Sequence, residues 1–203
     1  MSDIDLNDDF YKFGKNIQIV AGCTILSIIP YVSFLAGFGQ LIFIFLALGN
    51  IKNVIFKTNN RFLYEFRSKF TSAFILRFFG MFFVYGGLIG FLSALIYAGL
   101  ENALYVLIAV GLGFVLLLIS GILEMGAWNN FKKYLEETKG TFPEEITTEA
   151  IEGSEKLHQG ALMFVLGFLI ITLVVGTILQ LIGYLKLAKF NQLGSSSTKA
   201  IQE

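Results

Sequence analysis

Two oppositely charged residues, Arg77 and Glu124, lie inside long apolar segments of the sequence. Arg77 follows "TSAFIL" and Glu124 follows "SGIL". A charge in hydrocarbon is costly unless it is paired or faces a water-filled cavity, and such residues often mark ion or proton pathways. The two residues therefore predict either an ion or proton site inside a membrane or a structural ion pair between helices.

The segments that carry these charges are predicted to cross a membrane. The chain has 203 residues, of which 55% are hydrophobic and 15% are charged, whereas a soluble domain usually has about 25% charged residues. Its apolar segments reach the roughly 20 residues that a helix needs to cross ~30 Å of hydrocarbon. We predict an all-α integral membrane protein with the lipid bilayer as its first partner. The net charge of zero gives no indication of a nucleic-acid partner.

Five transmembrane helices are predicted, at about residues 14–29, 33–50, 72–98, 104–127 and 160–185. Pro30 separates the first two, because proline removes a backbone donor and disfavours a continuous helix. One kinked helix is the alternative there, but at ~1.5 Å per residue it would overshoot the bilayer. The spans form one membrane domain, residues 14–190, between a polar lead of residues 1–13 and a disordered tail of residues 191–203.

Two further helical segments are predicted outside the spans. Before the third span, two sets of residues recur every fourth position: Phe62, Phe66, Phe70 and Phe74, and Lys57, Arg61, Glu65 and Lys69. This pattern is typical of an amphipathic helix at the lipid interface. Residues 128–158 form a polar insert rich in glutamate, and "GTFPEE" within it resembles a helix start.

The distribution of lysine and arginine predicts the orientation of the chain, because these residues accumulate on the cytoplasmic side. They occur in the lead, after the second span and in residues 128–158, whereas the turns near Pro30 and Glu101 have none. We therefore expect the N-terminus and residues 128–158 in the cytoplasm. Five spans place the C-terminus outside, where Lys186 and Lys189 would extend to the outer interface.

The positions of Arg77 and Glu124 predict that they meet. They lie about equally far from Glu101 on either side, so antiparallel third and fourth spans bring them to the same depth. We predict an ion pair near the inner interface, or a polar cluster shared with Asn129 or Asn130.

Small residues at four-residue spacing occupy one face of the third span, at Gly86, Gly90, Ala94 and Ala98. Such a face lets two helix backbones approach closely. We expect it to pack within this chain, and a homodimer interface is the alternative.

Aromatic and basic residues stand together at the end of the fourth span, at Trp128, Lys132, Lys133 and Tyr134. Residues of these types are enriched at the level of the lipid headgroups. We therefore predict that they anchor the span at the interface.

The sequence lacks the motifs of a catalytic or cofactor site. His158 has no nearby cysteine or second histidine, and the one cysteine, Cys23, excludes a multi-cysteine metal site. "DIDLND" resembles the start of an EF-hand loop, but the required glycine is Asp8 and the position of the bidentate acid is Gly14. We predict no enzyme activity, no cofactor and no metal.

Three stretches of the chain carry a family resemblance. They are an opening hairpin, "GKNIQIVAG" followed by "IIPYVSFLAGFGQLIFIFLALGNI", and two span ends, "LEMGAWNNFKKY" and "LQLIGYLKLAKF". Over about residues 14–190 this pattern resembles an uncharacterised family of small multi-pass membrane proteins found widely in archaea. The resemblance implies a prokaryotic cell membrane as the location, and it implies no catalytic residues.

The expected function is a non-enzymatic membrane scaffold or accessory subunit. The phenylalanine-striped helix and the acidic insert would serve as its cytoplasmic docking surface, and its partner would be another membrane protein or a second copy of the chain. A component of a small-solute or ion transporter or channel is the alternative. Gln40 and Gln180 are the strongly polar residues deep in their spans, where they are expected to hydrogen-bond across helices.

Overall fold

The computed structural model describes residues 6–29, 31–97, 100–166 and 170–194, and every regular element among them is helical. The helices are α1 (Asn7–Leu26), α2 (Ser33–Thr58), α3 (Arg61–Tyr97), α4 (Leu100–Glu137), α5 (Glu144–Val165) and α6 (Ile170–Leu187), followed by a 3₁₀ helix (Ala188–Gln192). Consecutive helices pack against each other as three hairpins, α1 with α2, α3 with α4 and α5 with α6. The all-α prediction is confirmed for this part of the chain.

Three helices of the described chain are long and apolar enough to cross a membrane, and their segments are Leu35–Thr58, Arg61–Ile96 and Leu104–Glu137. The prediction of five spans is therefore wrong. α1 begins at Asn7 and includes Asp8, Asp9 and Lys12 in its first turns, so most of the predicted polar lead belongs to a helix. Pro30 lies outside the described residues.

The predicted fifth span, residues 160–185, consists of two helices rather than one. α5 ends at Val165 and α6 begins at Ile170. The two helices approach closely, because a Cβ atom on Gly153 would lie 2.9 Å from the Gly183 carbonyl oxygen and one on Gly160 would lie 3.1 Å from the Gly176 carbonyl oxygen. Glycines on both helices permit this backbone contact. Hydropathy alone does not reveal that the chain reverses between α5 and α6, because both helices are apolar near the turn.

The phenylalanine stripe packs against the protein core, with Phe66 and Phe70 buried and Phe62 and Phe74 half-buried. Its residues belong to the first turns of α3, which continues without a break to Tyr97. Phe66 and Phe70 are buried, and the Phe66 ring centroid lies 5.2 Å from that of Trp128 and 4.8 Å from that of Phe131. The predicted interfacial helix is therefore corrected to a core segment of α3, because α4 covers Phe66 and Phe70.

An aromatic core fills one end of the molecule, where the helix termini near residues 10, 66, 131, 142 and 190 meet. Its rings are Phe10, Phe13, Phe66, Phe70, Trp128, Phe131, Tyr134, Phe142 and Phe190, all buried. At the other end, the large apolar side chains of α3 and α4 are exposed, among them Phe82, Ile89, Ile96, Tyr105, Ile108 and Phe114. The chain thus has a packed end with its own core and an opposite end with an apolar surface.

α3 and α4 pack through small residues at seven-residue spacing rather than through the predicted face. A Cβ atom on Gly80 would lie 3.0 Å from the Gly113 carbonyl oxygen, and one on Gly87 would lie 2.6 Å from Val110 Cγ2. Gly90 has a neighbour 3.4 Å away, in Val106, but Gly86 has none within 4 Å. The face predicted at Gly86, Gly90, Ala94 and Ala98 is therefore only partly used in this hairpin. The side chain of Ala98 lies outside the described residues.

The C-terminal end of the described chain packs against α1 and α5. Asn191 Nδ2 donates a hydrogen bond to Gln18 Oε1 at 2.7 Å. Lys186 Nζ lies 2.7 Å from Glu149 Oε2 and 2.9 Å from Glu152 Oε2. The hydrogen bond from Lys186 lowers the pKa of Glu149. Residues 191–194 of the predicted disordered tail therefore pack beside α1, and residues 195–203 lie outside the described part.

Gly14 allows this contact between the two ends of the chain, and its substitution by alanine tests it. A Cβ atom there would lie 2.5 Å from the backbone nitrogen of Asn191, and crowding of this kind costs about 1–3 kcal/mol. We expect Gly14→Ala to lower the thermal midpoint in detergent and to make the chain more sensitive to carboxypeptidase.

Gly22→Ala is the matched control in the same helix, because a Cβ atom at Gly22 has no neighbour within 4 Å. Removing a helical glycine there should stabilise the protein by about 0.5–1 kcal/mol. Equal thermal midpoints for the two variants would contradict the packing of the 3₁₀ helix against α1.

Candidate functional site

A cleft of 680 Å³ lies between the three hairpins. Residues of α1 and α2 form one wall, residues of α3 form the second, and residues of α4, α5 and α6 complete it. We call this space the central cleft. Pockets of about 300–1,000 Å³ are typical of small-molecule sites, where apolar walls surround a few polar groups. The central cleft has both properties.

The structure brings Arg77 and Glu124 together at the base of the central cleft. Arg77 Nη2 donates a hydrogen bond to Glu124 Oε2. The side chain of Glu124 is 2% exposed and that of Arg77 is 27% exposed. A buried carboxylate needs both a partner charge and further donors to offset its lost hydration. The burial of Glu124 therefore depends on its neighbours.

The second oxygen of Glu124 has two donors. Gln180 Nε2 lies 3.2 Å from Glu124 Oε1, and Trp128 Nε1 lies 3.4 Å from the same atom. Gln180 is on α6 and Trp128 is one turn beyond Glu124 on α4. The carboxylate thus links three helices through Arg77, Trp128 and Gln180.

The backbones of Arg77 and Glu124 differ in depth, contrary to the prediction. Ser120 Oγ donates to the carbonyl oxygen of Ala73 at 2.7 Å, so these two residues lie opposite each other. Arg77 is one turn further from the core end than Ala73, and Glu124 is one turn nearer to it than Ser120. At 1.5 Å per residue the offset is about 12 Å. The long arginine side chain spans most of it.

The predicted asparagines do not join this cluster. Asn130 Nδ2 instead donates to Glu65 Oε2 at 3.2 Å, and Asn129 is exposed. Gln180 does hydrogen-bond across helices as predicted, but the sequence pattern does not identify Glu124 as its partner. The sequence does contain a signal for Trp128, since a residue four positions after Glu124 shares its helix face.

The predicted interface anchors have other environments. Trp128 and Tyr134 are each 1% exposed and belong to the aromatic core, so neither ring can reach lipid headgroups. Lys132 Nζ lies 3.4 Å from Glu155 Oε2 on α5, and Lys133 is exposed. The anchor role is corrected for the two aromatic residues, because α1, α3 and α6 cover that face of α4.

Neutral polar groups line the opposite wall of the central cleft. Gln40 Nε2 donates to Thr24 Oγ1 at 3.1 Å, and Thr24 Oγ1 donates to the carbonyl oxygen of Val20 at 2.9 Å. Ser27 and Ser33 also face the cleft. Among the described lining residues, Arg77 and Glu124 are the charged ones. The cleft is therefore charged at the Arg77–Glu124 pair, has neutral polar groups on the α1–α2 wall and is mostly apolar along α3.

Metal ligation and nucleophilic chemistry have little support in the described chain. Its histidine, cysteine, aspartate and glutamate side chains form no group of three or more that could hold a metal ion. His158 Nδ1 lies 2.9 Å from the carbonyl oxygen of Met125 and links α5 to α4. Cys23 is half-buried near Gly39.

The chemistry of the central cleft suits a molecule with a polar group at one end and an apolar body. The base supplies a guanidinium and amide groups, whereas phenylalanine, leucine and methionine side chains supply the walls. No family model, no curated protein and no solved structure matches this chain.

The coupling between Arg77 and Glu124 can be measured by a double-mutant cycle with Arg77→Met and Glu124→Leu. Each single change leaves the other charge unpaired, which costs about 3 kcal/mol or more for a buried pair. The double variant removes both charges and should recover part of that loss, with a coupling energy of about 1–3 kcal/mol. Thermal or denaturant unfolding in detergent provides the measurement.

Arg61 and Glu65 are the control pair for this cycle, because the Arg61 side chain is 85% exposed. Exposed pairs of this spacing contribute about 0.3–0.5 kcal/mol. A coupling energy at Arg77 and Glu124 no larger than that of the control would contradict the role assigned to the buried pair.

Proposed function

We propose that this protein is an integral membrane protein that binds one small amphiphilic molecule in the central cleft, as a carrier or a component of a transporter. The observation that carries the proposal is the cleft itself, with 680 Å³ of space and apolar walls above the Arg77–Glu124 pair. A pair that served stability alone would not need space beside it. Binding sites in membrane helices use the same combination of a midbundle cavity and a few polar groups.

A scaffold is less well supported than a binding protein. The scaffold hypothesis relied on the phenylalanine stripe as a docking surface, but Phe66 and Phe70 are buried against α4. The acidic face of α5 is also partly occupied, since Lys186 lies beside Glu149 and Glu152. The surface left for a soluble partner is therefore smaller than the sequence pattern indicates.

The distribution of charge supports an orientation in which the core end faces the cytoplasm. The lysines of the N-terminal helix, of the α4–α5 region and of residues 186–189 all belong to the core end of the molecule. The C-terminal lysines, which contradict the rule in a five-span arrangement, agree with it when α5 and α6 form a hairpin. We propose a cell-membrane location with both chain ends inside, in which α1 crosses beside α2 and the α5–α6 hairpin enters and returns on the same side.

Cysteine accessibility tests this orientation. In a Cys23→Ser background, we expect a membrane-impermeant maleimide to label Gln192→Cys and Lys139→Cys only after the membrane is opened. Asn102→Cys, in the first turn of α4, should be labelled in intact cells. Labelling of Gln192→Cys from outside would place the C-terminus on the outer side and contradict the hairpin topology.

Occupation of the central cleft can be blocked at Gly37, which lines it and has no neighbour within 4 Å of a built Cβ atom. We expect the wild-type protein, purified in mild detergent, to retain about one amphiphile per chain in native mass spectrometry. Gly37→Phe should lose most of this bound mass, because its ring occupies the cleft without displacing backbone.

Gly49→Phe is the control for this experiment. Gly49 is on the same helix, is exposed and also has open space at its Cβ position, but it does not line the cleft. The control should retain the ligand at the wild-type level. Equal ligand content in the two variants would reject the cleft as the site, and a stoichiometric protein partner with no bound amphiphile would favour the scaffold.

A further inference from the structure

We infer that the ligand of the central cleft is a single-chain amphiphile with an anionic headgroup, a carboxylate or a phosphate, and that Arg77 binds this headgroup. The inference rests on the proposed function, because it requires that the cleft hold an amphiphile. It adds the sign of the headgroup charge, the residue that contacts it and the direction of the chain.

The charge that a ligand meets in the cleft is positive. Arg77 and Glu124 are the charged residues among the described lining residues, and Arg77 is 27% exposed whereas Glu124 is 2% exposed. The carboxylate is buried and accepts hydrogen bonds from the guanidinium, from Trp128 and from Gln180. An anion can therefore approach the guanidinium without also approaching a free carboxylate.

The geometry of arginine suits this task. A guanidinium has five N–H donors in a planar fork that matches carboxylate and phosphate oxygens. Among the described residues, Glu124 accepts a hydrogen bond from Nη2 of Arg77, and the guanidinium, which lines the cleft, has further N–H donors for a ligand. The Phe164 ring centroid lies 5.9 Å from Arg77 Cζ, close enough for a cation–π contact that helps to hold the plane of the group.

Glu124 acts as a positioning residue for Arg77. Its carboxylate is held by α4 and α6 through Trp128 and Gln180, so the guanidinium that pairs with it has a defined place. A fixed donor binds a ligand more tightly than a mobile one, because less conformational entropy is lost on binding. The buried carboxylate thus explains how a charged side chain of α3 is held at the base of an apolar cleft.

The walls define where the apolar chain lies. From Arg77 toward the α3–α4 turn, Phe78, Met81 and Tyr85 line the cleft on one side, and Gly37 and Leu41 line it on the other. This part of α3 is about 12 Å long at 1.5 Å per residue. A headgroup at Arg77 therefore places the chain along α3, away from the aromatic core, in the direction of the exposed apolar surfaces.

Two sources provide such a ligand, a free fatty acid and a lysophospholipid, and both have an anionic oxygen headgroup on one chain. We would measure binding of oleate and of monooleoyl lysophosphatidate to the purified protein in detergent micelles. Oleyl alcohol and monooleoylglycerol are the matched neutral probes, because each keeps the same chain and lacks the charge.

The wild-type protein should bind one of the anionic probes roughly 10- to 100-fold more tightly than its neutral counterpart, the range that a charge-assisted hydrogen bond to arginine provides. The better of the two anionic probes identifies the source. Equal affinity for the anionic and neutral probes would overturn the inference about the headgroup while leaving the proposed function intact. Failure of all four probes to bind would count against both.

Arg77→Gln separates a direct role from a structural one. This variant should lose the preference for the anionic probe and retain the affinity for the neutral one, whereas Arg77→Lys should keep part of the preference because the charge remains. Retention of the full preference in Arg77→Gln would overturn the inference.

A double variant, Arg77→Gln with Glu124→Gln, guards against misfolding of the single variant. It replaces the ion pair with two amides that can still hydrogen-bond, so it leaves no unpaired charge buried. It should bind the neutral probes like the wild-type protein and show no preference for the anionic ones. A persistent preference in this variant would assign the headgroup to another residue.

Discussion

The need to satisfy one buried carboxylate organises the centre of this protein. Glu124 is almost fully buried, and its two oxygens accept hydrogen bonds from Arg77 on α3, Trp128 on α4 and Gln180 on α6. An unsatisfied charge at this position would cost several kcal/mol. Its donors therefore constrain where α6 lies relative to α3 and α4, and the base of the central cleft follows from that constraint.

Two kinds of packing meet at Glu124. Toward the chain ends, aromatic rings fill a core in which Trp128 contacts Phe66, Phe70 and Tyr184. Toward the α3–α4 turn, glycines such as Gly80 and Gly113 allow helix backbones to touch, as in helices that associate in lipid. The large rings keep the helices apart at the core end, whereas the glycines let α3 and α4 approach each other closely. The change from one to the other leaves α3 and α4 close together while α2 stands apart across the cleft.

The sequence predicted the class of the protein and the meeting of Arg77 with Glu124, because hydropathy and the cost of an unpaired charge are local properties that survive any arrangement of helices. Its placement of the phenylalanine stripe at the lipid interface is wrong for Phe66 and Phe70, which are buried. In the sequence, a stripe that includes Phe66 and Phe70 has the same spacing whether it contacts lipid or another helix. Only the position of α4 in the fold distinguishes the two environments. The equal-depth estimate for Arg77 and Glu124 failed in part because it assumed a turn at Glu101, whereas α3 ends at Tyr97 and α4 begins at Leu100.

The lysines after residue 185 were the one signal in the sequence that contradicted five spans. A five-span arrangement predicts Lys186 and Lys189 at an outer interface, yet Lys186 lies beside Glu149 and Glu152 in the first half of α5. The span count was wrong, because glycines at seven-residue spacing in residues 153–183 permit a tight hairpin of two helices where hydropathy indicates one.

That hairpin also explains why a cleft exists at all. Val165, at the end of α5, packs against Gly121 of α4, so α5 stops about 30 Å short of the level at which α4 begins, Leu100, at 1.5 Å per residue. Beyond this point α3 has no neighbour from α5 on that side, and Phe78, Met81 and Tyr85 are left to line open space. A longer hairpin would fill the cleft with its own side chains. The short one leaves Arg77 at the base of a cleft whose α3 side is mostly apolar.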